Sequence, residues 1–79
     1  MWITPDEHRV VGQVLADART AAGLTQKDLA QQLGKPQSFI SSYEGGQRRI
    51  DILELLRIAG ALGCSPLSLF TNILERHQK

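Results

Sequence analysis

The stretch that decides the fold lies at residues 26–43 and reads QKDLAQQLGKPQSFISSY. Its first half places Leu29, Ala30 and Leu33 at positions i, i+1 and i+4, which lie on one face of a helix. Gly34 follows directly, and glycine is the residue that most often allows the chain to leave a helix in a left-handed conformation. This half therefore predicts a short helix that ends at residue 33.

A second short helix follows the turn. Pro36 is tolerated at the start of a helix, and Ile40 and Tyr43 are spaced to face inward together. Ala30 is small at the point where the two helices would cross most closely. Residues from about 25 to 44 therefore predict a helix-turn-helix, whose second helix can enter the DNA major groove.

Helix-start signals divide the rest of the chain. Thr4, Thr25 and Asp51 each stand three residues before an acidic side chain, which is the pattern of a capping box. The pattern contains no alternation typical of strands, no internal repeat and no linker. We therefore predict one all-α domain over residues 1–79. Its five helices are predicted at about 5–22, 26–33, 36 or 37–44, and 52–62, with a fifth opened by Ser65-Pro66.

The last two predicted helices have more apolar residues than one buried face needs. The predicted inward residues are Ile52, Leu55, Leu56, Ala59 and Leu62 on the fourth helix and Leu67, Phe70 and Leu74 on the fifth. The surplus residues are Leu53, Ile58, Leu69 and Ile73. Such a surplus indicates a partner surface, although small domains also expose scattered aliphatic side chains. We predict a homodimer with contacts at Leu53, Leu69 and Ile73.

Composition adds weaker constraints. The 79 residues carry a formal net charge of only +1, but residues 19–49 have five Lys or Arg against Asp28 and Glu44, a net charge of +3. The positive excess thus lies on the segment with the helix-turn-helix, as phosphate attraction requires, although a solvated charged surface has the same appearance. A single cysteine, Cys64, cannot form an internal disulfide, and no apolar run approaches the ~18 residues of a membrane span.

The residues around the motif resemble the XRE family of lambda-repressor-like DNA-binding domains. The resemblance rests on RTAAGLTQKDLA at 19–30, then on Gly34, Ile40-Ser41, Glu44 and Gly46, and it continues through residues 53–70. It implies a five-helix DNA-binding fold and a cytoplasmic location. Two positions depart from the family pattern, since Lys35 replaces a common aliphatic residue and Phe39 a small polar one.

The first turn of the third helix supplies the candidates for reading bases. Its position in the motif predicts that Gln37, Ser38, Ser41 and Ser42 point into the groove. Glutamine can pair with adenine through two hydrogen bonds, and serine can reach any base edge. The resemblance implies base contacts at Gln37, Ser38 and Ser42. The alternative is that these are ordinary polar residues on an exposed helix.

Phosphate contacts are predicted around the same helix. Gln26 lies in the first turn of the second helix, where the free N–H groups favour an anion, and the family uses the matching residue for a phosphate contact. Arg48 and Arg49 follow the third helix and are expected at a phosphate or the minor groove, as is Lys35 in the turn.

Three further residues complete the predicted site. The resemblance implies an ion pair between Arg19 and Glu44 that holds the third helix, with Arg19 also close to a phosphate. Phe39 has two readings that the sequence leaves open. It can contact a thymine methyl group, or it can tuck back against the second helix.

Signals of an enzyme are absent from the sequence. His8 and His77 lie far apart, and no cluster of metal-ligand residues or glycine-rich phosphate loop appears, so we predict no catalytic residue, metal or cofactor. The predicted function is a sequence-specific transcriptional regulator that binds double-stranded DNA as a homodimer on an inverted repeat. The alternatives are an antitoxin with a toxin partner, a restriction–modification controller, or an accessory domain of an enzyme without DNA affinity.

Overall fold

A computed structural model describes residues 2–78 and contains five helices, with no strand among these residues. The helices are α1 (Pro5–Ala21), α2 (Gln26–Leu33), α3 (Gln37–Glu44), α4 (Ile52–Leu62) and α5 (Pro66–His77). The prediction of an all-α, five-helix fold is confirmed. The boundaries agree with the predicted ones to within one residue, since α1 ends at Ala21 and not at Ala22.

Side-chain caps fix the starts of three helices. Thr4, Thr25 and Asp51 each accept a hydrogen bond from the backbone N–H three residues on, and the acidic side chain there accepts one from the backbone N–H of the cap. Two of the four orphan N–H groups at each helix start are thereby satisfied. The predicted capping boxes are confirmed. Local sequence therefore sets where α1, α2 and α4 begin.

Buried apolar side chains from all five helices form one core. They are Val14, Leu15, Leu29, Ala30, Ile40, Tyr43, Ile58, Ala59, Leu62 and Leu69. α1 packs against α3 and α5, α2 packs against α3 and α4, and α4 packs against α5. Since α3 is held mainly by α1 and α2, its first turn remains at the surface.

The predicted inward face of α4 is only partly right, since Ala59 and Leu62 are buried as predicted and two other residues are not. Ile52 and Leu56 are exposed by 77% and 47%, whereas Ile58, which we placed in the surplus, is only 1% exposed. α4 is apolar on more than one side, so its periodicity does not identify the buried face. The packing of α4 against α2 and α5 determines it instead.

The same error occurs in α5 and changes the predicted dimer contacts. Leu69 is 2% exposed and belongs to the core, so it is not available to a partner. Ile73 is half-buried and packs against the same core. The predicted inward residues Leu67, Phe70 and Leu74 are exposed instead. Leu69 is therefore wrong as a dimer contact, and Ile73 is mainly a packing residue.

The large apolar residues that α4 and α5 expose are a different set from the predicted surplus residues, and we call this set the α4–α5 apolar surface. Its members are 45–77% exposed: Ile52, Leu53, Leu56, Leu67, Phe70 and Leu74. Helical periodicity places Ile52 with Leu56, and Leu67 with Phe70 and Leu74. Each helix thus presents one apolar face to solvent.

A membrane span would need a long apolar helix among the described residues. None of their helices alone combines the length and hydropathy that a span requires. Taken together, α4 and α5 have the length and composition of a span, but only these, and the two helices are bent by 114° at the break between them.

Gly12 sets the distance between α1 and α3. It is buried in the middle of α1, and a Cβ atom built on it would lie 2.5 Å from the carbonyl oxygen of Glu44 and closer still to that of Tyr43. Real Cβ atoms do not approach a backbone oxygen this closely. The backbones of α1 and α3 therefore meet without an intervening side chain.

We predict that Gly12→Ala destabilises the protein by roughly 2–3 kcal/mol, because the added methyl group must push α3 away from α1. Gly60→Ala is the matched control, since a Cβ at this exposed position in α4 has no atom within 4 Å. The control should be neutral or stabilising by up to about 1 kcal/mol, from helix propensity alone. Urea unfolding followed by circular dichroism measures both. Equal stability of the two variants would contradict the proposed close approach.

Candidate nucleic-acid interface

The turn between α2 and α3 brings the first turn of α3 to the surface. Gly34 has φ of 67°, and the N–H of Lys35 donates to the carbonyl of Ala30 at 3.0 Å, so the chain reverses within two residues. Pro36 then precedes α3 in an extended conformation, at the cap position and not inside the first turn. Ala30 is 3% exposed, as expected for the small residue between two packed helices.

The predicted base-reading residues differ in exposure. Gln37, Ser38 and Ser41 are exposed, and Ser42 is half-buried. Its backbone carbonyl accepts hydrogen bonds from the N–H groups of Gln47 and Arg48, at 2.9 Å and 3.2 Å. The first turn of α3 thus exposes the Gln37 amide and the Ser38 hydroxyl to solvent, and the middle of the helix exposes the Ser41 hydroxyl.

A polar network joins the start of α3 to its end. The Gln37 amide nitrogen donates to Gln26 Oε1 at 3.4 Å, and the Gln26 amide nitrogen donates to Glu44 Oε1 at 2.9 Å. Arg19 Nε and Nη2 donate to the two oxygens of Glu44, at 2.7 Å and 3.1 Å. Arg19 Nη1 also donates to the carbonyl of Leu24 at 2.8 Å. One set of contacts therefore ties α1, the α1–α2 loop, α2 and both ends of α3 together.

The Arg19–Glu44 ion pair lies largely inside the protein. The two side chains are 16% and 7% exposed, and the hydrogen bonds to Glu44 raise the pKa of Arg19 above its usual value. Next to it, burial raises the pKa of the Tyr43 hydroxyl. Arg19 uses all three of its nitrogens to hold neighbouring groups, so positioning of α3 is its principal role in the free protein.

The predicted phosphate-contacting residues differ in their exposure and in the contacts that they form. Lys35 and Arg49 are exposed, and neither forms an ion pair within residues 2–78. Gln26 is half-buried because it bridges Glu44 and Gln37. Arg48 is engaged elsewhere, since its guanidinium pairs with Glu54 at 2.8 Å. The hydrogen bond to Arg48 is the main cause that lowers the pKa of Glu54.

In the free protein, the Phe39 ring turns toward the core. Its half-buried ring packs against the core and meets Tyr43 edge to face, with centroids 5.5 Å apart. Arg48 lies 4.5 Å and Lys35 5.6 Å from the ring centroid, both as cations over an aromatic face. With Leu33 and Ile58, Phe39 also lines an open pocket of about 480 Å³ between α2, α3 and α4. Phe39 is thus a packing residue in the free protein.

Two residues that help to position this surface were not identified from the sequence. Glu54 was identified only as a helix cap, and its pairing with Arg48 had no local signal beyond the opposite charges six residues apart. Gly12 was not distinguished from other helical positions, although a glycine inside an otherwise regular helix often marks a close approach of backbones.

Comparison with known proteins adds independent information. A family model described as Helix-turn-helix matches residues 15–69. An HTH-type transcriptional regulator, y4dJ of Sinorhizobium fredii, is 36% identical over 66 residues, which cover 84% of this chain and 86% of the relative. The match therefore includes the whole of α2 and α3.

Solved structures agree with the family match. An XRE-family like protein from Pseudomonas syringae has 37% identity and a TM-score of 0.78, with 90% of this chain and 87% of that chain covered. The restriction–modification controller protein C.Esp1396I, solved as a tetramer with its natural 35-base-pair operator, has 27% identity and a TM-score of 0.81, over 92% of this chain and 96% of that chain.

Proposed function

Because this chain belongs to the XRE family of helix-turn-helix transcriptional regulators, we propose that it binds an inverted-repeat DNA operator as a homodimer. One copy of α3 enters the major groove in each half-site. The half-sites lie about one helical turn apart, ~34 Å from centre to centre. Bound there, the dimer regulates transcription by occupying its operator.

The observation that carries this proposal is the way Gln37 is held. Its amide is exposed at the first turn of α3, and Gln26 fixes it from the side by a hydrogen bond of 3.4 Å. This bond uses one amide hydrogen and leaves the second hydrogen and Oε1 for a ligand. A glutamine with one free donor and one free acceptor has what adenine N7 and N6 require. Ser38, Ser41 and Ser42 supply adjacent hydroxyls for bases or phosphates.

Phosphate contacts fix the register of the complex on DNA. We assign them to Lys35 and Arg49, whose exposed cations flank α3, and to the first turn of α2 at Gln26. Arg19 contributes through the small exposed part of its side chain. These contacts are independent of sequence and give the protein its general affinity for DNA.

The α4–α5 apolar surface is the proposed dimer interface. Its residues are 45–77% exposed in the monomer, and burying them against a second copy removes apolar area from water. α4 and α5 make no substantial contact with α3, so a dimer formed through them leaves α3 of both copies accessible to DNA. A two-fold axis brings the same faces of both copies together.

We infer the biological setting from what the relatives support. C.Esp1396I is a restriction–modification controller that binds its operator as a tetramer, which supports the same class of role for this chain in the cytoplasm. None of the relatives described above is named as an antitoxin, and we do not propose a toxin partner. DNA binding without catalysis accounts for the residues at the site.

Base reading by Gln37 is the first test. We predict that Gln37→Ala weakens binding to an operator selected from random DNA by ~1–3 kcal/mol and relaxes the preference at one base pair per half-site. Gln13→Ala is the matched control, because Gln13 is an exposed helical glutamine that bonds Asp17 on α1, away from α3. Fluorescence anisotropy with the operator and with scrambled DNA measures the change. Equal losses on both DNAs would exclude base reading by Gln37.

Self-association is the second test. Phe70→Asp should weaken dimerisation by roughly 1–3 kcal/mol, because it places a charge in an apolar interface, and operator binding should fall with it. Asn72→Asp introduces the same charge about 200° round the helix and serves as the control. Sedimentation velocity at micromolar concentration gives the association state. A wild-type protein that stays monomeric both free and on the operator would overturn the homodimer.

A further inference from the structure

Arg48, in the loop between α3 and α4, is held by one carboxylate at two points. Its Nη1 donates to Glu54 Oε1 at 3.0 Å and its Nη2 donates to Glu54 Oε2 at 2.8 Å. The Nη1 group also donates to the carbonyl of Arg49 at 2.6 Å. Two parallel hydrogen bonds between guanidinium and carboxylate fix the plane and the direction of the guanidinium.

The same guanidinium lies over an aromatic ring of α3. The Arg48 carbon Cζ is 4.5 Å from the Phe39 ring centroid, within the range of a cation–π contact. Phe39 in turn meets Tyr43 edge to face. Phe39 directly follows Ser38, and its ring packs on the core side of the helix that presents Gln37 and Ser38 to DNA. Arg48 therefore contacts α3 at the level of its first turns.

Glu54 connects this contact to α4. It occupies the third position of the helix, where its Oε1 accepts from the backbone N–H of Asp51 at 3.1 Å and its own N–H donates to Asp51 Oδ1 at 2.8 Å. The capping box thus holds the Glu54 side chain in place independently of its ion pair with Arg48. The start of α4 carries Ile52 and Leu53, two residues of the α4–α5 apolar surface.

We propose that Arg48 is a positioning residue for DNA recognition, which fixes α3 relative to the start of α4 through Phe39 and Glu54, and that it does not neutralise a DNA phosphate. The proposal rests on the DNA binding by α3 described above. An arginine already paired with a carboxylate adds no net charge at this point, so it displaces no counterion from DNA unless the pair breaks. Breaking it would also remove the guanidinium from the ring of Phe39.

The two roles of Arg48 make opposite predictions for Glu54. If Arg48 binds phosphate, Glu54→Gln releases the guanidinium and removes a negative charge, so binding becomes tighter. If Arg48 positions α3, Glu54→Gln removes one anchor of the link and weakens binding. Glutamine at this position keeps the capping box, so the variant leaves the start of α4 intact.

The experiment measures operator binding at several salt concentrations for Arg48→Ala, Arg48→Met, Glu54→Gln and the double variant of Arg48→Ala with Glu54→Gln. Arg49→Ala is the control, since Arg49 is exposed and its side chain forms no ion pair within the described residues. The operator is one selected from random DNA with the wild-type protein. Circular dichroism at the binding temperature checks that each variant is folded, and Arg48→Met retains an unbranched side chain over Phe39 if Arg48→Ala does not fold.

We expect Arg48→Ala and Glu54→Gln each to weaken operator binding about fivefold to thirtyfold, with little further loss in the double variant, because both act through one link. The slope of log K against log salt should stay at the wild-type value for both. Arg49→Ala should lower that slope by roughly one unit.

Three results would overturn the inference: a salt slope reduced by about one unit in Arg48→Ala, tighter binding by Glu54→Gln, or wild-type affinity in both variants. Each of them leaves operator binding by the wild type in place, so the proposed function survives. Failure of the wild-type protein to select any operator is a different outcome, and it would overturn the proposed function together with the inference.

Discussion

The structure depends on the ion pair between Arg19 and Glu44. It joins the last turn of α1 to the last residue of α3 across 25 positions of sequence, and both side chains are largely buried. Because a buried charge without its partner costs several kcal/mol, the two helices are constrained to one relative position. The same carboxylate accepts the Gln26 amide, so the constraint extends to α2 and, through Gln26, to Gln37.

Close packing between α1 and α3 adds to the constraint that the ion pair imposes on their relative position. Gly12 allows the backbone of α1 to touch the last turn of α3, and only a residue without a side chain permits this distance. Tyr43 fills the space beside it, with its ring in the core and Phe39 against its edge. A helix of eight residues such as α3 has little stability of its own, so its orientation comes from these neighbours. The base recognition that we propose for Gln37 therefore depends on α1 and α2 as much as on α3.

The sequence predicted the features that depend on local chemistry and missed those that depend on tertiary packing. Capping residues and Gly34 act within a few residues of their own position, so helix boundaries were predicted to within one residue. The buried face was wrong for α5 and only partly right for α4, because both helices are apolar on several sides. Only their neighbours decide that Ile58 and Leu69 lie inside while Ile52 and Phe70 lie outside. The pairing of Arg48 with Glu54 was missed for a related reason, since sequence spacing alone does not show which group an arginine in a loop contacts.

The most direct test of this account is the coupling energy between Arg19 and Glu44. Urea unfolding of Arg19→Met, Glu44→Gln and the double variant gives it as the difference between the double variant and the sum of the single ones. Glu44→Gln keeps the size of the original side chain, and Arg19→Met keeps an unbranched apolar stem without the guanidinium. The account predicts that each single change destabilises the protein and that the coupling is about 1–3 kcal/mol. Additive effects, with a coupling near zero, would show that the ion pair does not constrain α3 and would contradict the account.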